Sequence, residues 1–550
     1  MIKERIKHIV RNEWALASVL LLTLFLRIFG IGFGLPLTLV SDEPPFTVVA
    51  LKMIETQTLI PALQPEAFSS ILLYPLYLSY VLLIPFVLIL GVKYLAWDGS
   101  RELFEATLLT DLSPFFIAAR CLNILLGILM VYLVYRVAQS LFHSPVAAFV
   151  SAYLVATSIL HQALSMVGRH WMPSSFVFVL VLYTLSRDLP KKRRYLYASL
   201  IAGIGMGFST LSILSAVLMA LYYVIFDKEK WRDVVTDIPL IAQCSAIFVA
   251  LAAIPFLLYK NGNAFFGAIT LLNDKSLAAF LESPWTMLSM SVYSEPILIG
   301  FFLIGVALLL KERRSIGFLL FGWFLAYTAV FYIVFRFDPR FALALVPFYA
   351  LAGGYVVDRW WNTWARFALI LLLLVPLVIA ARVEYLAYES DTRDMAREWA
   401  LLNLDASDKV LVYVAHMRLP TTADAVEELR AVDSNVVRQV DGADVVLDRK
   451  DVPHVLNYLF SMKKDSVFIR DISAYAKNNG YTHLIFAPEY ATEATSTAEA
   501  FSRLTKGAKE LQRFEGRGVL MSIADSSFTN SFLEFFDERY FGPTIIIYAL

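Results

Sequence analysis

Two adjacent carboxylates, Asp42 and Glu43, stand just past the first strongly apolar run, 14–35. Acids at the mouth of a membrane span are costly beside lipid, so they belong in water, in a site or on a metal. A carboxylate placed there can take a proton from an attacking hydroxyl. Cations fall at the ends of other apolar runs: Arg120, Arg169, His170, Lys275, Arg336 and Arg340. The planar fork of arginine donates two parallel hydrogen bonds and suits phosphate. Base and cations together point to chemistry on a phosphate-bearing lipid, the cations holding the phosphate as it departs.

The elements that must position these groups are membrane helices. The chain has 550 residues, 58% of them hydrophobic and 17% charged, with mean hydropathy +0.63. That balance excludes a disordered chain and argues against a soluble globular one. Apolar runs near the length of a bilayer crossing lie at 14–35, 71–90, 114–137, 145–160, 173–185, 196–226, 239–258, 296–310, 316–335, 341–357 and 367–386. The run 196–226 is too long for one span and carries Gly203, Gly205, Gly207 and Ser209-Thr210, so two short helices with a tight turn are expected. Net charge is zero, with 47 basic and 47 acidic residues, which implies no pull toward nucleic acid. Cys121 and Cys244 both lie in apolar runs and suggest no disulfide framework.

Basic clusters at 3–11, 191–194, 228–232, 311–314 and 359–366 set the sidedness, because cytoplasmic loops are enriched in Lys and Arg. If 71–90 crosses, every later cluster falls outside. If it dips in and returns, or lies along the interface, all of them fall inside, and Pro75 and Pro85 favour that reading. The expected architecture is therefore an α-helical polytopic membrane protein with about 11 transmembrane helices, N-terminus in and C-terminus out. The basic N-terminus leads into a retained first span. Residues 1–388 form the membrane part, with a long first outer loop, 36–113. Residues 389–550, where charge rises, are expected to form an extracytoplasmic α/β domain with strands at 410–414, 482–487, 520–523 and 544–548 and a helix at 394–404.

Here the residues reach a resemblance. Ser-Asp-Glu-Pro-Pro-Phe (41–46), Ala50-Leu51-Lys52-Met53, Pro61 and Tyr74-Pro75-Leu76-Tyr77 resemble the first loop of GT-C glycosyltransferases, in the branch of protein O-mannosyltransferases and the lipid A aminoarabinose transferase. Ala118-Ala119-Arg120-Cys121-Leu122-Asn123 is similar to the opening of their second span, and Asp338-Pro339-Arg340-Phe341 with Pro347 to a later motif. Phe541-Gly542-Pro543 and Tyr548 resemble the end of many such chains. Order, spacing and sidedness carry the likeness, since no single motif is specific.

The resemblance implies a polyprenyl-phosphate-linked sugar donor, a lipid, glycan or protein acceptor, transfer on the outer face and, as is usual in the family, inversion at the sugar carbon. It makes Asp42 the general base, Glu43 an acceptor-positioning or metal-adjacent group, and Arg340 a ligand of the lipid phosphate. Arg120, Arg169, His170, Trp171, Tyr74 and Lys275 become substrate contacts. No cofactor is certain; a divalent metal stays open, because some members bind one. The implied location is a prokaryotic plasma (inner) membrane, with the active site and C-terminal domain outside the cytoplasm. Three departures stand out. Many relatives carry an Asp in the second outer loop, where this chain has Gly168-Arg169-His170-Trp171. Phe46 replaces a Tyr or His, and Leu73-Tyr74-Pro75 replaces a Lys-Pro-Pro or His-Pro-Pro.

Plainer readings compete. Ser41-Asp42 before Pro44 could cap a surface helix, Arg120 could pair with Asp111, Arg336 and Arg340 could anchor at the interface, and Glu295 could be solvated or cap the helix at Pro296. His161 shows no partner at ligand spacing. A lipid or glycan transporter is the alternative function, disfavoured by the scarcity of ionisable residues mid-span and the lack of inverted repeats.

Overall fold

The computed structural model describes residues 2–37, 39, 43–69, 71, 74–101, 104, 108, 111–228, 231–259, 277–334, 339–432, 452–457, 459, 467–491, 495–516, 534–537 and 539–550. The apolar runs fold into helices because in lipid each backbone N–H and C=O must be satisfied within its own segment. The first forms Ile2–Ile28, closed by a 3₁₀ turn, Phe29–Gly32. Ser113–Phe142, Trp171–Ser186, Pro296–Glu312, Val346–Trp360 and Arg366–Tyr388 answer to later runs. Among the described residues six helices are long and apolar enough to cross a membrane, or seven if the bent pair Pro145–Ala156 and Ile159–Ser165 is one span. The expected eleven exceeds this because packed helices such as Trp171–Ser186, of 16 residues, are shorter than a full crossing.

Two breaks in the pattern matter for the site. The run 196–226 divides as expected, into Lys191–Gly205 and Leu214–Tyr222 around a 3₁₀ turn, Thr210–Ile213. Gly207 lies in the bend just before that turn, and a Cβ there would stand 2.0 Å from the Tyr77 ring. Residues 77–90 of the run 71–90 fall in one helix without a break, Tyr77–Leu95, with Pro85 inside it. Its buried face, Leu78, Leu82 and Phe86, clusters with Phe115 and Ala119 from the first turns of Ser113–Phe142. It therefore packs against one end of that long helix, next to Phe46 and Ala50 of the helix Pro44–Glu55.

Small residues bring the central helices backbone to backbone. A Cβ on Gly354 would meet Ser151 Oγ at 2.1 Å, and one on Gly305 would meet Ala352 O at 2.4 Å. At one end of the bundle a chain of polar contacts joins the basic loops. Arg313 donates to Leu141 O, Ser144 to Asp358, Ser140 to Ser186 O, Arg194 to Leu185 O and Asp227, and Lys191 to Asp237.

The C-terminal part carries a five-stranded sheet in the order β2-β1-β3-β5-β4. These are β1 (Lys409–Tyr413), β2 (His454–Leu456), β3 (His483–Phe486), β4 (Lys509–Phe514) and β5 (Ile545–Ala549). β2, β1 and β3 run parallel, and β5 is antiparallel to β3 and β4. Sequence periodicity anticipates β1, β3, β5 and the helix Thr392–Asn403; β2 and β4 are additions, and 520–523 lies outside the described residues. Phe541 joins this part to the bundle. It is buried among the membrane helices, its ring 5.5 Å from that of Phe33, and its carbonyl accepts from Thr392 N at 3.0 Å.

Glu428 knits β2 to its covering helices, accepting from His454 Nε2 and Tyr481 Oη at 2.7 Å each and from Tyr475. Burial pushes its carboxyl up, but these hydrogen bonds outweigh it and hold it below the usual range. A carboxyl lowered on folding contributes stability that is present above its unfolded value, about 4.3, and is lost as the pH falls through the folded value. Thermal unfolding of the full chain in detergent should show this acid-side loss, and Glu428→Gln should flatten it. In the same assay Gly305→Val should destabilise by about 1–3 kcal/mol, because the atom it strikes is backbone and cannot move aside.

Candidate functional site

Glu43 sits at a bend just before Pro44–Glu55 and is fully buried. Its Oε1 accepts from Arg120 Nε at 2.8 Å and from Gly168 N at 2.7 Å, and its Oε2 accepts from Arg120 Nη2 at 2.7 Å. Arg120 Nη1 donates in turn to Ile31 O at 2.8 Å and Phe33 O at 2.7 Å. The ion pair thus ties together the end of the first span, the first loop and, through Glu43, the second loop. Gly168 is required at the crossing: a Cβ there would stand 2.7 Å from Ala119 Cβ and 3.0 Å from Glu43 Oε1. One helical turn beyond Arg120, Asn123 Nδ2 donates to Val167 O and, at 2.7 Å, to Arg169 O.

The pinned second loop presents Arg169, His170 and Trp171, all buried. The His170 ring lies 5.4 Å from Phe46, 4.8 Å from Tyr74 and 4.3 Å from Trp171. Trp171 meets Phe341 edge-on at 4.7 Å, and the Arg340 guanidinium lies 5.7 Å from the Trp171 ring and 5.5 Å from that of Phe341. The fields of Arg169 and Arg340 both reach His170. So Glu43, Tyr74, Arg120, Arg169, His170, Trp171 and Arg340 form one continuous assembly of cations walled by aromatic rings. Asp42, Lys275 and Arg336 lie outside the described residues.

Several expectations change. Arg120 pairs with Glu43, not with Asp111, whose Oδ1 accepts from Ser113 N instead. Glu295 is neither solvated nor the side-chain cap of its own helix. It is buried and caps the short helix Ile159–Ser165, accepting from Ser158 Oγ at 2.5 Å and Leu160 N at 3.1 Å. His161 Nδ1 lies 2.6 Å from Arg27 Nη2, which is no metal-ligand pairing. Arg27 also donates to Ser165 Oγ and Ala156 O, while Glu384 accepts from Phe29 N, Gly30 N and Gln162. These groups hold the helix that delivers Gly168–Trp171. The one available signal was a charge inside an otherwise apolar run, Arg27 in the first and Glu384 in the last.

Residues 104–259 match the sequence family described as dolichyl-phosphate-mannose-protein mannosyltransferase. The matched stretch is 156 of the 550 residues. Solved structures to which the chain is similar include three. ArnT from Cupriavidus metallidurans, bound to undecaprenyl phosphate, is 12% identical, with 99% of this chain and 98% of that one covered and a TM-score of 0.47. The Archaeoglobus fulgidus oligosaccharyltransferase, in complex with Zn and sulfate, is 14% identical, with 90% and 71% covered and a TM-score of 0.47. The arabinofuranosyltransferase AftD from Mycobacteria is 12% identical, with 79% and 34% covered and a TM-score of 0.35. No curated protein matches the chain in sequence.

Among the described residues no three His, Cys, Asp or Glu side chains gather where they could hold a metal ion. Both Glu43 oxygens face the Arg120 guanidinium, so this carboxylate is a poor ligand for a cation.

Removing one member of a buried ion pair leaves the other charge unpaired, which costs about 3–5 kcal/mol, whereas replacing both with apolar groups is far milder. Glu43→Gln and Arg120→Met should each lower thermal stability in detergent strongly. The Glu43→Leu/Arg120→Met double variant should lose much less than the sum, and additive losses would contradict the pairing.

Proposed function

We propose that the chain is a GT-C-type glycosyltransferase that moves a sugar from a polyprenyl-phosphate-linked donor to a lipid, glycan or protein acceptor at the extracytoplasmic end of the bundle. The observation that carries this reading is the Glu43–Arg120–Gly168 knot, which brings the loop bearing Asp42 onto the cluster of Arg169, His170 and Arg340. The matched family's description, with its dolichyl-phosphate-linked sugar, supports the donor class. The end of the bundle opposite the basic loops is taken as the outer one. Residues 1–388 then form the catalytic membrane domain, in a prokaryotic plasma membrane, and 389–550 the outer domain.

In this mechanism the Asp42 carboxylate takes the proton from the acceptor hydroxyl. The oxygen attacks the sugar's anomeric carbon from the face opposite the phosphate, the bond from carbon to phosphate oxygen breaks, and polyprenyl phosphate leaves with the electron pair. Arg340 and Arg169 meet the charge that grows on that oxygen. The Trp171, Tyr74 and Phe341 rings wall the sugar. Glu43 acts through Arg120 as a positioning residue, since both its oxygens are occupied.

Asp42→Asn keeps size but removes the base. In purified protein supplied with a polyprenyl-phosphate sugar, it should slow transfer by about 10²-fold or more. A rate equal to wild type would remove Asp42 from this role. Arg340→Ala should lower kcat by at least about tenfold, with Arg340→Lys recovering part of it. Uncoupled lipid flux through proteoliposomes, with no glycosylated product, would favour a transporter instead.

A further inference from the structure

The helix Ser113–Phe142 carries a second arginine site at its other end. A cavity of about 250 Å³ lies where it meets the end of Trp171–Ser186, lined by Arg136, Ser140, His143, Tyr183, Arg187 and Asp188. At 1.5 Å of rise per residue, Arg136 stands about 24 Å along the axis from Arg120, close to the thickness of a bilayer core. This is the end where the basic loops gather, and Ser140 Oγ clamps the two helices there through Ser186 O at 2.7 Å.

Both guanidiniums are held by aromatic rings. Arg136 lies 5.9 Å from the Tyr132 ring and donates to Tyr132 Oη at 3.1 Å, and Arg187 lies 5.7 Å from the Tyr183 ring. Among the described residues no carboxylate forms an ion pair with either, and Asp188, which lines the same cavity, is exposed. Two helix C-termini favour cations at this depth. They do not account for a cavity between the cations, nor for the surface that leads into it. Ile117, Cys121, Leu125 and Leu129 are exposed along one stripe of Ser113–Phe142, and the stripe ends at Tyr132 and Arg136. On the neighbouring helix the partly exposed Phe176, Leu180 and Tyr183 lead to Arg187 in the same way.

We propose that this cavity binds the headgroup phosphate of an anionic phospholipid whose acyl chain lies along the stripe. An apolar track of helical length ending in paired, forked donors matches one ligand chemistry: a phosphate attached to a hydrocarbon chain. The site is separate from the proposed donor site and does not depend on it.

Native mass spectrometry of the full chain in detergent tests this, using phosphatidylglycerol, phosphatidylcholine and inorganic phosphate as probes. Phosphatidylglycerol should be retained about tenfold better than phosphatidylcholine, and Arg136→Gln/Arg187→Gln should abolish that preference. Equal retention of the two lipids, or an unchanged preference in the variant, overturns the proposal. So does displacement of bound phosphatidylglycerol by millimolar inorganic phosphate, which would make the cavity a free-anion site. If the double variant fails to fold, each single variant should still lower retention about threefold, and two unchanged single variants overturn the proposal equally.

Discussion

The assembly depends on one buried ion pair. Taking Glu43 and Arg120 out of water carries a large desolvation penalty, which only near-complete hydrogen bonding offsets. Here the carboxylate accepts three hydrogen bonds and the guanidinium donates to two carbonyls besides. Because those partners come from the first span, the first loop and the second loop, the pair is satisfied only when all three are in place. The same knot leaves Arg169 and His170 of the second loop buried beside the rings of Phe46, Tyr74 and Trp171.

Around the knot the bundle is arranged to keep it rigid. Ile159–Ser165 is gripped at its start by Glu295 and along its length by Arg27 and Glu384, all charges drawn from segments far apart in sequence. Each charge would be costly alone in lipid and is held by backbone or side-chain partners. Phe541 wedges the C-terminal sheet against Phe33, and Arg418 reaches Leu37 O at 3.4 Å, so the C-terminal part rests on the chain just past the first span.

Much of this was legible in the chain. Hydropathy marks the helices because lipid forces each apolar run to satisfy its own backbone. The order of motifs marked Glu43, Arg120, Arg169–Trp171 and Arg340 as residues of interest, and the structure brings them together. β2 escaped because three residues are too few to show a period, and β4, Lys-Glu-Leu-Gln-Arg-Phe, because an edge strand exposed on both sides shows little apolar alternation. Arg27 and Glu384 escaped because averaging over a long apolar run hides one charge.

By itself, then, the sequence determined the membrane class, the helices and the inventory of charged groups at their ends. These follow from local composition and spacing, which each segment carries within itself. Only the tertiary structure decided which charges meet. Glu43 and Arg120 are 77 residues apart and Glu43 and Gly168 are 125 apart. No periodicity reports a contact at that range. The pairing is chosen by whichever packing of the helices leaves no buried charge without a partner.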